Sequence, residues 1–233
     1  MKIKAFSMKL VVFILVIISI VLCLSSLSKP EPATWGYLIA DIAFILASAF
    51  AYNETKDNLW LIMLIGSPWM LISDLYFFPR FSANGLIWTG EQGGMNIWQG
   101  LHFAIFGIGC FFYFKDSKFR YTIPVLLLLS ALTNLNLTGG GLARTSAGMI
   151  LALVAMFVVY GFLLRYGLTE KNYIFSLGVL MFLIDNILAV LYYFYITHDI
   201  SPFTLAWIDK LNTIARSLMA AGMAVAIERS AVK

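Results

Sequence analysis

The sequence contains a series of long apolar segments separated by short connections rich in polar residues, glycine or proline, and these segments restrict the folds that the chain can adopt. Each segment is near the length of about 20 residues that an α-helix needs to cross a bilayer. A segment inside a bilayer must satisfy its own backbone hydrogen bonds, so apolar segments of this length are expected to be helical. The predicted helices are residues 10–27, 33–52, 58–78, 97–114, 121–138, 146–166, 172–196 and 203–227.

The composition agrees with a membrane protein and argues against a soluble one. Apolar residues make up 61% of the 233 residues and charged residues 12%, whereas soluble proteins average about 45–50% and about 25%. We therefore predict one all-α integral membrane domain, a bundle of about eight transmembrane helices. The N-terminal segment also has features of a secretory signal, but it is longer than a typical signal core and no A-x-A-like cleavage site follows it, which favours a first helix.

The basic residues indicate how the helices are oriented. Eleven lie on one side of the predicted bundle and three on the other, and this bias predicts that both termini are cytoplasmic, with a bacterial inner membrane as the location. The eleven are Lys2, Lys4, Lys9, Lys56, Lys115, Lys118, Arg120, Arg165, Lys171, Arg229 and Lys233, and the three are Lys29, Arg80 and Arg144. The net charge of +4 therefore indicates topology, and we predict no nucleic-acid partner.

Several ionisable residues fall inside the predicted helices, where a charge costs about 2.5 to 3.5 kcal/mol at mid-membrane. They are Asp41, Asp74, His102, Asp185, Asp209, Lys210 and Arg216. One interpretation is a shared polar cavity, and the other is a set of salt bridges between helices, with Arg216 bound to Asp185 or to Asp41. A helical face carries Asp209, Asn212 and Arg216, whereas Lys210 is predicted to point away and reach the near interface.

The spacing of chemical groups predicts neither a metal site nor a cofactor. The chain has two histidines, His102 and His198, and two cysteines, Cys23 and Cys110, none of them at metal-ligand spacing. Ser73 beside Asp74 lacks the Gly-x-Ser-x-Gly pattern of a serine nucleophile. The connection 79–96 contains four glycines and is either a lid over a site or a plain surface loop.

Two segments resemble each other. Gly66 to Asp74 and Gly178 to Asp185 both read as glycine, an apolar stretch and aspartate. A parallel internal repeat is one explanation, in which the aspartates lie at similar depth on opposite sides of a cavity. Coincidence is the other.

These two segments also carry a resemblance to a known family. Gly66-Ser-Pro-Trp-Met-Leu-Ile-Ser-Asp74-Leu resembles the first aspartate motif of the lysoplasmalogenase (YhhN-like) family, and Gly178-Val-Leu-Met-Phe-Leu-Ile-Asp185-Asn186-Ile-Leu-Ala resembles the second. The chain differs at the residues before each aspartate, Ser73 and Ile184. The resemblance implies an eight-helix membrane enzyme that cleaves the vinyl ether bond of lysoplasmalogen to a fatty aldehyde and a glycerophospho-alcohol.

That chemistry suits two carboxyl groups, because two acids in a water-poor cavity tend to lose their protons at different pH and can serve as acid and base. We therefore predict Asp74 and Asp185 as catalytic residues. The predicted substrate-binding residues are Arg216, Asp209, Asp41, His102 and Asn186, and the expected partners are a lipid or lysophospholipid substrate and the bilayer. Two other functions remain open: a transporter or channel with a proton or ion relay, and a non-catalytic lipid-binding sensor. The oligomeric state is not indicated.

Overall fold

The computed structural model describes residues 2–25, 30–84, 105, 113, 146–195 and 202–230. These residues form helices and turns and contain no β-strand, which confirms the all-helical prediction for this part of the chain. The long helices are α1 (Lys2–Ser25), α2 (Pro30–Thr55), α3 (Asn58–Asn84), α4 (Ser146–Thr169), α5 (Tyr173–Tyr195) and α6 (Pro202–Ser230). The predicted helices 97–114 and 121–138 lie outside the described residues, apart from residues 105 and 113.

The helix boundaries differ from the predicted ones mainly at two ends. Helix α1 begins at Lys2 rather than at residue 10, because the lysines at its start are polar but do not break a helix. Helix α3 continues through Asn84, so residues 79–84 of the predicted 79–96 loop are helical. Pro79 does not end the helix, and neither does Pro68. The rest of that loop lies outside the described residues.

Helices α2 and α6 are central to the packing. Helix α2 packs against α1, α3 and α6, and α6 packs also against α1 and α5, while α4 packs against α5. A buried apolar core lies near the starts of α3 and α5, where Trp60 and Phe175 meet edge to face with ring centroids 5.5 Å apart. That contact puts the beginnings of α3 and α5 at one end of the bundle, which we call the turn end.

The turns that lead into α3 and α5 share one design. In each, a lysine adopts a left-handed conformation, Lys56 with φ 57° and Lys171 with φ 55°, and an Asx residue follows it. Asp57 Oδ1 accepts from the backbone N–H of Leu59 at 2.9 Å, and Asn172 Oδ1 accepts from that of Phe175 at 3.3 Å. Such caps satisfy backbone donors that the first turn of a helix leaves without partners.

The matching turns bear on the suspected repeat. We align the two segments on their turns, which also aligns Trp60 with Phe175. If this alignment is right, Asp185 corresponds to Met70 and not to Asp74. Position 74 is therefore about four residues, or about 6 Å, further from the turn end than Asp185. In this register the two aspartates lie at different depths, and the glycines that begin the two segments are not equivalent.

Asp57 also joins the turn before α3 to helix α4, so a substitution of Asp57 tests the importance of this turn. Its Oδ2 accepts from the Tyr166 hydroxyl at 2.9 Å and from the Tyr113 hydroxyl at 3.3 Å. We expect Asp57→Ala to lower the free energy of unfolding by about 1 to 2 kcal/mol, because a helix cap and these bonds are lost together. Thermal unfolding of the purified protein measures this, with the exposed Asn53→Ala as control. Equal effects of the two substitutions would contradict the role of Asp57.

Candidate functional site

A buried ion pair joins the two central helices. Arg216 of α6 donates through Nη1 to Asp41 Oδ1 of α2, and the two residues are 5% and 4% exposed. Arg216 Nη2 donates to the Tyr37 hydroxyl at 2.6 Å, and the guanidinium lies 4.2 Å from the centroid of that ring. Tyr37 and Asp41 are one turn apart on α2, so both face Arg216. Of the two salt bridges that the sequence allowed, the one with Asp41 forms.

A second carboxyl group lies beside this pair. Asp185 of α5 is 2% exposed, and its Oδ2 accepts from Asn212 Nδ2 of α6 at 2.7 Å. Arg216 is close enough for its charge to act on Asp185. Asp185 Oδ1 has no hydrogen-bond partner among the described residues. One guanidinium is thus paired with one carboxylate and lies near another, and both carboxyl groups are shielded from solvent.

A small cavity lies next to the ion pair. The volume open to the centre of a water molecule is about 20 Å³. Asp41 and Arg216 line it together with Ser67 of α3, and its other walls are side chains of Phe44, Met63, Met70, Tyr160, Phe182 and Met219. Neither Asp41 Oδ2 nor Ser67 Oγ has a hydrogen-bond partner within the described residues, although both atoms are buried. We call Tyr37, Asp41, Ser67, Asp185, Asn212 and Arg216 the Arg216 cluster.

Helix geometry places the Arg216 cluster at mid-height in the bundle. Ser67 lies nine residues after the start of α3 and Phe182 nine residues after the start of α5, which corresponds to about 14 Å from the turn end. From there the polar positions extend away from the turn end, with Asp185 on α5 and Asn212 on α6. Position 74 lies seven residues beyond Ser67, on the same face of α3.

Apolar packing separates the Arg216 cluster from the turn end. Between the cavity and the turns, the described interior is filled by buried apolar side chains, among them Trp60, Leu163, Phe175 and Met223. Ser48 is the polar residue next to Met223, and its hydroxyl donates back to the Phe44 carbonyl at 2.8 Å. In the described part of the chain, therefore, no charged side chain is buried between the cavity and the turn end.

The structure brings together three of the seven predicted site residues, Asp41, Asp185 and Arg216. Asp74, Asn186 and Asp209 lie in described helices, but their side chains are outside what the structure describes, and His102 lies outside the described residues altogether. Tyr37 and Ser67 were not predicted. Their signals were weak, since Tyr37 is one turn from Asp41 and Ser67 is two turns from Asp74, spacings that become informative only when the facing helix is known.

Lys210 differs from its prediction. It is 2% exposed, and the adjacent helix α1 covers this side of α6, with Cys23 Sγ 3.8 Å from the Lys210 carbonyl oxygen. The prediction that Lys210 reaches an interface is wrong, because the hydrophobic pattern of α6 does not reveal that α1 packs on this face. Among the described residues, no three His, Cys, Asp or Glu residues are grouped so that they could hold a metal ion.

Two of the described helices are long and apolar enough to cross a membrane, Ser7–Ser25 of α1 and Trp35–Thr55 of α2. No protein-family model matches the chain, and no curated protein or solved structure matches it either.

Proposed function

We propose that this chain is an eight-helix integral membrane protein, with both termini in the cytoplasm of a bacterial cell, and that it hydrolyses the vinyl ether bond of a lysophospholipid. Asp185 and Asp74 act as acid and base in this proposal. The observation that carries it is the buried Asp185 carboxyl group, with one oxygen held by Asn212 and the other without a partner among the described residues.

The surface of the described helices supports a membrane location. The α1 span Ser7–Ser25 is 22% buried, and large apolar side chains are exposed along it, including those of Leu10, Ile14, Ile17 and Val21. Helix α5 exposes a similar row, namely Ile174, Leu177, Leu180, Ile184 and Leu188. These residues recur at helical spacing, and a soluble monomer rarely exposes apolar patches of that extent. In a bilayer, lipid chains would cover both rows and keep these apolar side chains out of water.

The depth of the Arg216 cluster supports the same location. The cluster begins at about 14 Å from the turn end, near the middle of a hydrocarbon layer that is about 30 Å thick. Charged groups at that depth face the bundle interior and pair with one another, as Asp41 and Arg216 do. The turn end carries Lys56 and Lys171, which the basic-residue bias assigns to the cytoplasm.

The proposed reaction adds water across the vinyl ether. A carboxylic acid donates its proton to the alkene carbon that is remote from the ether oxygen, which leaves an oxocarbenium ion. Water then attacks the carbon that carries the oxygen, while the second carboxylate takes a proton from it. The resulting hemiacetal breaks into a fatty aldehyde and the glycerophospho-alcohol. A carboxyl group that is buried away from bulk water, as Asp185 is, is a suitable proton donor for the first step.

The geometry changes the role that we assign to Arg216. Its guanidinium is bound to Asp41 and to Tyr37, so a lipid phosphate would have to displace these partners. We therefore assign Arg216 the role of counter-ion to Asp41 and neighbour of Asp185. The part of the cavity that the described residues line has room for water and not for a lipid, so in this proposal the scissile bond approaches Asp185 from the side away from the turn end.

The test is aldehyde release from lysoplasmalogen by the purified protein in detergent. We expect release by the wild type, and loss of release in Asp185→Asn and in Asp74→Asn. Asp57→Asn is the matched control, since it changes a carboxylate at the turn end and keeps a capping side chain, and its activity should equal that of the wild type. An ester lysolipid should give no product. Absence of aldehyde from folded wild-type protein would refute the hydrolase.

A proton-coupled transporter is the second candidate. It is favoured by the ion pair of Arg216 with Asp41 near a second buried carboxyl group, Asp185, because an arginine that exchanges partners would allow one acid to bind and release a proton. The apolar packing at the turn end argues against a permanently open channel in this part of the chain. Proton flux into liposomes without lipid turnover would support the transporter, and this flux should be lost in Asp185→Asn.

A further inference from the structure

The cavity beside Asp41 and Arg216 presents two polar atoms that lack partners. Asp41 Oδ2 and Ser67 Oγ belong to side chains that are each 4% exposed, and neither atom has a hydrogen-bond partner in the described part of the chain. Both residues line the same space, whose walls come from helices α2 to α6. A buried polar atom without a partner is costly, and native proteins almost always supply one from the protein or from ordered water.

Ser67 behaves differently from the other buried serines that the structure describes. Ser48 and Ser176 donate to the carbonyl four residues earlier, at 2.8 and 3.0 Å, which is the usual arrangement for a serine inside a helix. The hydroxyl oxygens of Ser19 and Ser217 lie 3.1 Å apart and share a hydrogen bond. The hydroxyl of Ser67 takes neither arrangement. Its place on the cavity wall explains the difference, provided that the cavity holds a partner.

We propose that the cavity is a binding site for a single water molecule, which donates to Asp41 Oδ2 and accepts from the Ser67 hydroxyl. Its volume of about 20 Å³ for water centres exceeds the minimum of about 10 to 15 Å³ that one water needs. The water links α2 to α3 and completes the hydrogen bonds of Asp41, whose other oxygen is bound to Arg216.

The charges around the cavity exclude the two other small occupants. A cation would face the guanidinium of Arg216 and would find two free oxygens, whereas protein-bound cations take about six or more oxygen ligands. An anion would face Asp41. A small neutral molecule that both donates and accepts hydrogen bonds can bond to Asp41 Oδ2 and to the Ser67 hydroxyl. The inference does not rest on lipid hydrolysis, since it concerns the occupant of this cavity whatever the substrate is.

The direct test is a structure of the full chain in lipid, determined at a resolution at which ordered water is visible. We expect one peak of density within hydrogen-bond distance of Asp41 Oδ2 and Ser67 Oγ. An empty cavity, or density for a larger molecule, would overturn the proposal.

Two substitutions at Ser67 provide a second measurement. Ser67→Ala leaves space for the water and removes one of its partners, whereas Ser67→Val fills the space with methyl groups and leaves Asp41 Oδ2 without any partner. We expect Ser67→Val to lower the melting temperature by about 2 to 4 °C more than Ser67→Ala does. Ser48→Ala is the control at a buried serine that does not line the cavity. A melting temperature of Ser67→Val that equals or exceeds that of Ser67→Ala would overturn the proposal.

Discussion

Arg216→Met is expected to lower the free energy of unfolding by about 3 to 5 kcal/mol, because it leaves the Asp41 carboxylate buried without its counter-ion. Asp41 is 4% exposed, so bulk water cannot take the place of the guanidinium without opening the packing between α2 and α6. The measurement is thermal or denaturant unfolding of purified protein in detergent. The exposed Arg165→Met on α4 is the control, with an expected change within about 0.5 kcal/mol.

A double substitution separates the ion pair from the general loss of a side chain. In Asp41→Leu with Arg216→Met, both charges are gone, and apolar side chains of similar volume often replace a buried ion pair at little or no cost. We expect most of the lost stability to return, so the double variant should be more stable than Arg216→Met alone. If the two single effects simply add, the pair does not interact and the Arg216 cluster is assigned wrongly.

Gly222→Ala is expected to cost about 3 kcal/mol, although it adds one methyl group. A Cβ atom at this position would lie 2.5 to 2.6 Å from the backbone N, the Cα and the Cβ of Phe175. Those atoms belong to the first turn of α5 and cannot rotate away, so α5 and α6 must move apart, and such overpacking costs about 1 to 3 kcal/mol. The Gly222 carbonyl also accepts from Asn172 Nδ2 at 2.8 Å, a bond that the separation would lengthen.

Gly161→Ala provides the matched control for this effect. Among the described residues, no atom lies within 4 Å of a Cβ atom built at Gly161 in α4, and alanine is favoured over glycine inside a helix by about 1 kcal/mol. The same chemical change should therefore destabilise at position 222 and be neutral or stabilising at position 161, as measured by unfolding. Equal and small effects at the two positions would contradict the close approach of α5 and α6.

The pairing of Arg216 illustrates which properties could be predicted from the sequence. That the residue lies in a helix with Asn212 on the same face follows from the helical period, and the structure agrees. The choice of Asp41 over Asp185 as its salt-bridge partner could not be predicted, since the three residues lie on different helices. The prediction for Lys210 was wrong for the same reason, because the burial of this side chain depends on the helix that packs against it.

Two properties follow from the amino-acid sequence alone: the described residues are helical, and few charged residues are spread among many apolar ones. Hydropathy and backbone hydrogen bonding act within one segment, so they can be read along the chain. The pairing of Arg216 with Asp41 and the place of Ser67 on a cavity wall, in contrast, became evident only from the packing of the helices. Those outcomes depend on the rotation and height of one helix relative to another, which side-chain packing determines and linear spacing does not encode.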